Sequence, residues 1–465
     1  MTNISIGNNE TIHFIGIGGI GMSGLAQIMK IMGFQVQGSD LNKNKNTETC
    51  KKIGIKILIG HSKKNITKAT IIVKSSAIKK NNVEIKESIK KKLPIYERAD
   101  MLANIVSLKK NIIITGSHGK TTTTSLVAKI LSEAKLDPTI INGGVINSIK
   151  NNAKFGKGEW AVLEADESDG SFLKLPINCS VITNIDNEHL DFYKSYENLE
   201  KAFIKFINKT PPIGKTILCI DNANVKKIIS KIKTKNYLTY GLNNESNYQI
   251  TNINYKLGKT IFNLNIKKYG QKKTTIKNII LNLIGEYNVQ NATAAIAICL
   301  NLGLQINIIK NALKNFSGVQ RRLTKVFIRD ENEFYDDYAH HPTEISSVLN
   351  GLKKVYKKRK IITVFQPHRY SRIKNLKKEF ASSFLMSDLV ILCPMYAAGE
   401  KKDKTYNRSM FAKLIAKYSK SQVVIIDHEL QLNRYLKRNL IKDEIVIGMG
   451  AGSISKWMYN LKKTL

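Results

Sequence analysis

The chain has 465 residues, of which 24% are charged, and its formal net charge is +38. This length is too great for one hydrophobic core and predicts about three domains. No basic leader precedes an apolar run, and no stretch comes near the roughly 18 apolar residues that a membrane helix requires, so we expect a soluble, cytoplasmic protein. The cysteines are widely spaced, which excludes a disulfide framework and a zinc-binding motif and predicts reduced thiols.

The positive charge favours anionic partners, but its distribution argues against nucleic acid as the physiological one. Lysines are scattered along the whole chain in short runs such as Lys90 to Lys92, and aromatic residues are not interleaved with them for base stacking. Isoleucine and asparagine are abundant as well, which indicates a compositional bias of the whole sequence. We therefore expect anionic substrates and nonspecific binding of polyanions.

The first predicted unit is a strand, a glycine-rich loop and a helix. His13 to Ile15 form the strand, the loop runs from Gly16 to Gly21, the helix extends to Met32, and a second strand follows from Phe34 to Gln37. Asp40 comes about twenty residues after the loop, where a Rossmann-type unit carries the carboxylate that binds a ribose. The pattern predicts a nucleotide-type site at this edge of a parallel sheet.

The second unit carries the strongest functional signal of the chain. An apolar strand from Asn111 ends in a glycine loop that closes with Lys120, and a helix begins near Thr121. Such a loop turns backbone N–H groups and the positive end of the helix toward phosphate oxygens, while the lysine neutralises the terminal phosphates and the threonine is placed to bind Mg²⁺. The predicted nucleoside triphosphate site comprises Gly116, Ser117, His118, Gly119, Lys120, Thr121 and Thr122.

Two further strands of this unit end in clusters of polar residues. The strand from Trp160 to Leu163 runs into Glu164, which opens a loop rich in carboxylates, and the strand from Ser180 to Thr183 precedes an acidic segment that contains His189. Because the carboxyl ends of parallel strands share one edge of a sheet, Glu164 is predicted to hold a metal bound to the phosphates. For His189 the residues leave metal binding or substrate orientation and a structural role equally open.

The remaining sequence predicts an antiparallel segment from Tyr248 to Leu283, a helix from Asn288 to Asn301 and a hinge near residues 317–322. Arg369 and Arg372 follow one of the strands beyond the hinge, and two arginines so placed can fork a carboxylate or a phosphate. The last predicted strands are Ile361 to Phe365, Leu389 to Leu392, Val423 to Ile426 and Ile445 to Ile447.

The alternation of strands and helices predicts an α/β protein of three domains. We expect a Rossmann-like domain over residues 1–107, a central domain over 108–322 that resembles a P-loop ATPase with a mostly parallel sheet, and a Rossmann-like C-terminal domain over 323–465.

Five motifs, in their order along the chain, resemble those of the Mur ligase family. They are Gly16-Ile17-Gly18-Gly19-Ile20-Gly21-Met22-Ser23-Gly24, Thr115-Gly116-Ser117-His118-Gly119-Lys120-Thr121-Thr122-Thr123, Glu164-Ala165-Asp166-Glu167-Ser168-Asp169, Asp336-Asp337-Tyr338-Ala339-His340-His341-Pro342 and Phe365-Gln366-Pro367-His368-Arg369-Tyr370-Ser371-Arg372. The resemblance covers the chain from about residue 11 to the stretch that ends at Ser453.

The resemblance implies an ATP-dependent ligase of peptidoglycan precursor synthesis. The member that is most similar joins L-alanine to the lactyl carboxylate of UDP-N-acetylmuramate through an acyl phosphate and releases ADP and phosphate. The implied cofactors are ATP and Mg²⁺, the implied partners are these small molecules, and neither nucleic acid nor membrane is expected. The oligomeric state is left open.

The resemblance also implies roles for individual residues. One Mg²⁺ is expected on Thr121 and Glu164, and a second metal on His189. Asn288 and Asn291 are expected at the adenine and Arg321 near the nucleotide. The implied catalytic residues are Lys120, His189, His340, Arg369 and Arg372. The implied UDP-sugar site is lined by Gly18, Gly19, Ile20, Gly21, Ser39 and Asp40.

Three other functions stay open at this point. A related ligase that joins a whole tripeptide to the same UDP-sugar would share most of the motifs. An NAD-dependent oxidoreductase would explain the first glycine loop and Asp40, but it leaves Lys120, Thr121 and Glu164 without a role. An NTPase that acts on nucleic acid would explain the charge and the phosphate loop, and it predicts ATP hydrolysis stimulated by DNA or RNA.

Overall fold

The computed structural model describes residues 10–256, 258–267, 270 and 272–465. Its strands form three sheets of five, ten and six strands, which follow one another along the chain and alternate with helices. Most neighbouring strands run parallel, because each crossover helix returns the chain to the same edge of its sheet. The predicted α/β fold, with a mostly parallel sheet in its central part, is confirmed.

The described residues divide into two units. Unit 1 comprises the described part of Met1–Thr251 together with Asn263–Ile279 and Gln290–Ser317. Unit 2 comprises Asn252–Phe262, Ile280–Val289 and Gly318–Leu465. The first sheet belongs to unit 1 and the third to unit 2. The predicted domain limits stay predictions.

The first sheet consists of five parallel strands, β1 (Thr11–Ile15), β2 (Gln35–Asp40), β3 (Lys56–Ile59), β4 (Ile71–Lys74) and β5 (Ile95–Glu97). Their order in space is β3-β2-β1-β4-β5. The helices of this part are α1 (Ile20–Ile31), α2 (Lys45–Lys52), α3 (Val83–Lys90) and α4 (Arg98–Val106). Since β1 is central, the glycine loop that follows it opens at the middle of the carboxyl edge, where ligands of such sheets bind.

The second sheet contains β6 (Lys110–Thr115), β7 (Thr139–Ile146), β8 (Asn151–Lys154), β9 (Trp160–Glu164), β10 (Cys179–Ile182), β11 (Thr216–Cys219), β12 (Tyr237–Gly241), β13 (Tyr248–Lys256), β14 (Lys259–Ile266) and β15 (Thr274–Leu281). Their order is β15-β14-β13-β12-β11-β10-β6-β9-β7-β8. The helices are α5 (Lys120–Glu133), α6 (Leu190–Tyr193), α7 (Tyr196–Asn208), α8 (Ala223–Ile228), α9 (Glu286–Asn301) and α10 (Ile306–Lys314). Because β6 lies between β10 and β9, the residues after those two strands flank the phosphate loop.

The third sheet contains β16 (Thr324–Arg329), β17 (Asn332–Asp337), β18 (Ile361–Phe365), β19 (Leu389–Leu392), β20 (Gln422–Ile425) and β21 (Ile445–Met449). Their order is β16-β17-β21-β18-β19-β20, and only the pair β16 and β17 is antiparallel. The helices are α11 (Pro342–Val355), α12 (Tyr370–Asn375), α13 (Lys377–Ser382), α14 (Arg408–Ser419), α15 (Glu429–Asn439) and α16 (Ile454–Thr464).

Side-chain burial explains why the central strands are continuous apolar runs. Ile112, Ile113 and Ile114 of β6 have no solvent exposure, because a parallel strand covered on both faces has no solvent side. One apolar core in unit 1 is shared by the first and second sheets and their helices. It includes Met22 of α1, which belongs to the first sheet's part of the chain, and Ala153 of β8 in the second sheet. The first glycine loop and the phosphate loop are therefore carried by the same packed body.

Two predictions from composition can be compared with the structure. No helix among the described residues is both long and apolar enough to cross a bilayer. The cysteines are free and buried, as the predicted reduced state requires. Burial raises the pKa of Cys50 to about 12, so its thiol serves packing and not reactivity.

A buried polar cluster lies beneath the carboxyl edge of the first sheet. Glu84 of α3 has no solvent exposure, and its carboxylate accepts hydrogen bonds from Ser39 Oγ and Asn65 Nδ2, each at 2.6 Å, and lies 3.3 Å from His13 Nε2. Burial alone would raise the pKa of Glu84, but the hydrogen bonds from His13, Ser39 and Asn65 outweigh it and lower that pKa to about 2. The charge is thus stabilised by several partners at once.

We expect Glu84→Ala to lower the free energy of unfolding by about 3 kcal/mol at pH 7, because its buried partners lose their common acceptor. Since the pKa falls from 4.5 to about 2 on folding, the ionised carboxylate stabilises fully above pH 4.5, and the contribution is lost as the pH falls toward 2. In urea unfolding, the gap between wild type and variant should therefore shrink at acid pH. Glu87→Ala on the same helix is the control, and equal stabilities of Glu84→Ala and wild type at pH 7 would refute the prediction.

Candidate active site

The phosphate loop has the backbone geometry that an anion site requires. Gly116 has φ +128° and Gly119 has φ +84°, and α5 begins directly after them at Lys120. A Cβ at residue 119 would lie 2.5 Å from Asn291 Oδ1, so only glycine fits at this turn. The first N–H groups of an α-helix point toward its N-terminal end, so α5 turns its positive end toward the loop, where phosphate oxygens would bind.

Lys120 is held beside the loop by three acceptors. Its Nζ donates to Gly116 O at 2.5 Å, to Ser117 O at 3.2 Å and to Glu167 Oε2 at 2.8 Å. Burial lowers the pKa of Lys120, but the negative charge of Glu167 and of the neighbouring acids raises it above its usual range. The ammonium is therefore a fixed positive charge at neutral pH, placed where the loop would receive phosphates.

The segment after β10 braces the phosphate loop from outside. Asn184 Oδ1 accepts from His118 N at 2.7 Å, and Asn184 Nδ2 and Thr183 Oγ1 both donate to His118 O, at 3.0 and 2.6 Å. Asp186 Oδ2 lies 2.9 Å from His118 Nε2, and Asp186 N donates to Ser117 Oγ at 2.8 Å. The loop is thus ordered before any nucleotide binds, which lowers the entropic cost of binding.

We expect Asp186→Ala to raise the KM for ATP about five- to thirtyfold, the equivalent of about 1 to 2 kcal/mol, because the imidazole of His118 loses the carboxylate 2.9 Å from its Nε2 and the loop becomes less ordered. The KM values for the other expected substrates, UDP-N-acetylmuramate and L-alanine, should stay unchanged. Steady-state phosphate release at varied ATP measures the effect, with Glu197→Ala on the exposed side of α7 as the charge-matched control. An unchanged KM for ATP would show that the loop does not depend on this contact.

Thr121 and Glu164 lie together beside the phosphate loop, as the adjacency of β6 and β9 requires. Thr121 Oγ1 donates to Glu164 Oε1 at 3.1 Å, and Glu164 Oε2 accepts from Gly143 N at 2.6 Å. Thr122 follows in the same turn of α5 and is buried. A hydroxyl and a carboxylate at the head of a phosphate-binding helix are the hard oxygen donors that Mg²⁺ prefers. The side chains present therefore fit a magnesium ion.

His189 belongs to a different group of ligating side chains. The ligand atoms of Asp166, Glu167 and His189 all lie within 4.8 Å of one another. His189 Nε2 is 3.7 Å from Glu167 Oε1 and 3.7 Å from Glu188 Oε2. Its role at a second metal stays a prediction, and the carboxylates that accompany it are now specified.

The predicted UDP-sugar residues share the carboxyl edge of the first sheet: Gly18, Gly19, Ile20, Gly21, Ser39 and Asp40. Gly18 N donates to Asp40 Oδ2 at 2.8 Å, which closes the loop against the end of β2. Gly19 precedes α1, whose first turn contains Ile20 and Gly21. Ser39 is buried, and its hydroxyl is engaged by Glu84 at 2.6 Å. The participation of these residues in sugar binding stays a prediction.

The two asparagines predicted at the adenine lie three residues apart on α9. Asn291 Oδ1 accepts from Thr123 Oγ1 at 3.2 Å and packs against Gly119, so this side chain borders the phosphate loop. Asn288 Nδ2 donates to Ile284 O at 2.8 Å and belongs to unit 2. Their contact with adenine stays a prediction.

Unit 2 carries a group of candidate residues at the carboxyl edge of the third sheet. The ring centres of His340 and His368 are 5.4 Å apart, and His368 stacks on Tyr396 at 5.6 Å. Arg372 Nη1 donates to His368 Nδ1 at 2.9 Å. Burial lowers the pKa of His340 to about 4 and that of His368 to about 3. Both imidazoles are therefore neutral at pH 7 and available as hydrogen-bonding groups.

Arg369 and Arg321 are both fixed within unit 2. Arg369 has φ +68°, and its N–H donates to Tyr396 O at 2.9 Å. Arg321 Nη2 donates to Gly450 O at 2.5 Å, and its guanidinium lies 4.7 Å from the centre of the Tyr338 ring. The predicted roles of these arginines toward alanine and nucleotide stay predictions.

Several contacts of the site were missed from the sequence. Glu167 is one of several acids that follow β9, and the sequence did not identify it as the partner of Lys120. Its burial distinguishes it from its neighbours. His368 lies inside a quoted motif, but its stacking on Tyr396 joins segments that are distant in sequence. Asn184 and Asp186 lie in the acidic segment that follows the strand ending near Thr183, and their contacts with the phosphate loop were not predicted. The signal available was their place after the strand next to β6.

The comparisons with known proteins agree with this geometry. The chain matches the catalytic domain of the Mur ligase family over residues 11–110, the Mur ligase middle domain over 114–299 and the Mur ligase glutamate ligase domain over 321–452. It is 56% identical over 462 residues to the UDP-N-acetylmuramate–L-alanine ligase of Pelagibacter ubique, which covers 99% of this chain and 100% of that protein.

Solved structures give the same result. The crystal structure of the UDP-N-acetylmuramate–alanine ligase from Thermotoga maritima superposes with a TM-score of 0.82 at 27% identity and covers 97% of this chain and 98% of that one. A murein peptide ligase from Psychrobacter arcticus superposes with a TM-score of 0.71 at 20% identity over 98% of both chains, and this likeness shows the fold alone. The chain belongs to the Mur ligase family.

Proposed function

We propose that this protein is an ATP-dependent ligase that joins L-alanine to the lactyl carboxylate of UDP-N-acetylmuramate, with release of ADP and phosphate. The observation that carries the proposal is the charged, partly buried Lys120 in its braced phosphate loop, in a chain whose whole length is similar to a ligase of that name. The activity would serve peptidoglycan precursor synthesis in the cytoplasm, where ATP is available.

The first step transfers the γ-phosphoryl group of ATP to the substrate. A lactyl carboxylate oxygen attacks the γ-phosphorus, the bond to the β–γ bridging oxygen breaks, and ADP leaves an acyl phosphate behind. Both reactants are anions, so catalysis depends on positive charge and positioning. The Lys120 ammonium and the N–H groups at the head of α5 supply that charge in fixed positions.

A bound Mg²⁺ would neutralise phosphate charge and polarise the transferring group. Thr121 and Glu164 are the residues we assign to it, since they place a hydroxyl and a carboxylate 3.1 Å apart beside the loop. His189, with Asp166 and Glu167, offers a second set of donors.

The second step forms the amide bond. The amine of L-alanine attacks the acyl carbon, the tetrahedral intermediate collapses, and phosphate leaves with the oxygen that it shared with the acyl group. His340 Nδ1 lies 3.0 Å from Tyr338 O, a carbonyl that only accepts, so Nδ1 carries the proton and Nε2 is an acceptor for an N–H. We assign His340 to the alanine amine and the guanidinium groups of Arg369 and Arg372 to carboxylate and intermediate.

Phosphate release tests the proposal. Purified protein with ATP, Mg²⁺ and UDP-N-acetylmuramate is compared with L-alanine, without an amino acid and with the tripeptide L-Ala-D-Glu-diaminopimelate. We expect release that requires both the sugar and L-alanine. Release with the tripeptide alone would assign the chain to a recycling ligase, and release that does not depend on the sugar would contradict any ligase of this kind.

A further inference from the structure

A cavity of about 320 Å³ lies within unit 1, between the first sheet and the loop that follows β9. The residues that line it are Lys74, Ser76, Glu97, Arg98, Ala99, Asp169, Gly170, Ser171 and Lys174. This volume is at the small end of ligand pockets, which run from about 300 to 1,000 Å³, and it suits one substituted sugar ring better than a whole nucleotide sugar.

The charges of the cavity leave one cation available. Lys74 Nζ is 2.6 Å from Glu97 Oε1, and Lys174 Nζ is 2.9 Å from Asp100 Oδ1. The two lysines are therefore compensated within the fold. Among the residues that the structure describes, neither a hydrogen bond nor an ion pair engages the guanidinium of Arg98.

Arg98 reaches from the cavity to the first glycine loop. A Cβ at residue 21 would lie 3.4 Å from Arg98 Cδ and 3.5 Å from Arg98 Nη1, so the guanidinium lies over Gly21 in the first turn of α1. The guanidinium of Arg98 presents a fork of N–H donors, and Gly21 beneath it has no side chain to fill the space. Such an arrangement is suited to an anion that accepts two hydrogen bonds. The cavity and the glycine loop thus share one positive group.

The lining of the cavity also includes the carboxylate of Asp169. Asp169 Oδ1 accepts from Ser171 N at 3.0 Å, and the carboxylate keeps further acceptor capacity for hydroxyl groups. The loop that carries it also carries Glu167, which contacts Lys120 at 2.8 Å. A sugar acid in the cavity could therefore place its anionic group at Arg98 and its hydroxyl groups at Asp169. The loop that carries Asp169 would bring it close to the residues of phosphoryl transfer.

We infer that Arg98 is a specificity-determining residue that binds an anionic group of the nucleotide-sugar substrate, either the diphosphate or the lactyl carboxylate, with the sugar ring in this cavity. The inference rests on the proposed function, since it names a binding residue for the same substrate. It assigns to Arg98 a contact with substrate and no part in the chemistry of phosphoryl transfer.

The experiment measures UDP-N-acetylmuramate binding by calorimetry without ATP, in wild type, Arg98→Ala, Arg98→Lys and Lys90→Ala. Lys90 is an exposed cation at the end of α3 and matches the loss of one charge. We expect Kd to rise about ten- to a hundredfold for Arg98→Ala, as for the loss of a charged hydrogen bond. Arg98→Lys should give a smaller rise, and Lys90→Ala should leave Kd within about twofold.

UDP-N-acetylglucosamine, which has the diphosphate but no lactyl carboxylate, distinguishes the two anions. If Arg98→Ala weakens both ligands equally, the diphosphate is the group bound; if only UDP-N-acetylmuramate is affected, it is the carboxylate. Unchanged affinity for both ligands overturns the inference. Thermal unfolding and the KM for ATP show whether each variant is folded. If Arg98→Ala is not folded, the affinity of Arg98→Lys provides the test. Failure of wild type to bind UDP-N-acetylmuramate would instead refute the proposed function.

Discussion

Lys120→Met is expected to reduce phosphate release at least about 10³-fold, because the phosphoryl transfer loses the positive charge that its transition state requires. The backbone of the loop should persist, since Gly116 and Gly119 set its turns and the segment after β10 braces it. Turnover at saturating ATP is the measurement. Lys129→Met on the same helix, whose Nζ pairs with Glu133 at 2.7 Å, is the control and should retain activity.

The single variant leaves Glu167 buried without its cation, which costs stability. We therefore expect Lys120→Met to unfold at a lower temperature than wild type, and Lys120→Met/Glu167→Gln to recover stability without recovering activity. This pattern separates the catalytic loss from misfolding. An active single variant would remove Lys120 from the phosphate site.

Glu164→Gln is expected to lower turnover about 10²- to 10³-fold and to raise the Mg²⁺ concentration that gives half-maximal activity, because the amide keeps the shape of the side chain and removes its charge. In this variant the amide oxygen can accept from Gly143 N and the amide nitrogen can donate to Thr121 Oγ1, which preserves the contacts of 2.6 and 3.1 Å in the wild type, so the fold should be unaffected. Phosphate release titrated with Mg²⁺ measures both effects.

Glu159→Gln supplies the control for Glu164. Glu159 precedes β9 and forms an exposed ion pair with Lys110 at 2.9 Å, so its loss should change activity by less than about twofold. If Glu164→Gln kept the wild-type Mg²⁺ dependence, the assignment of this carboxylate to the metal would be wrong.

Burial on both faces explains which strands could be predicted from the sequence. The strands β6, β9, β18 and β19 are rich in buried apolar residues, and the structure places them within one residue of the prediction. The strands β3, β4, β5, β7, β8, β11, β12, β16 and β17 were not predicted. Four of them, β3, β5, β8 and β16, lie at sheet edges, where one side of the strand meets solvent and polar residues interrupt the apolar run.

The candidate site was predictable where one local segment creates it. The phosphate loop needs a strand, two glycines and a helix in immediate succession, so its geometry is encoded by neighbours in sequence. The pairing of Lys120 with Glu167 and of His118 with Asp186 depends on which strands become neighbours, and strand order is not written in any local pattern. Arg98 gave no signal at all, because an isolated arginine acquires meaning only when Gly21 lies beside it.

The most direct test of the account follows one oxygen atom through the reaction. UDP-N-acetylmuramate with both lactyl carboxylate oxygens labelled with ¹⁸O is turned over with ATP and L-alanine, and the products are analysed by mass spectrometry. An acyl phosphate predicts one ¹⁸O in the released phosphate and one in the new amide. Phosphate without ¹⁸O would mean that no carboxylate oxygen passes to phosphate. This result would contradict phosphorylation of the carboxylate, and with it the role assigned to the phosphate loop.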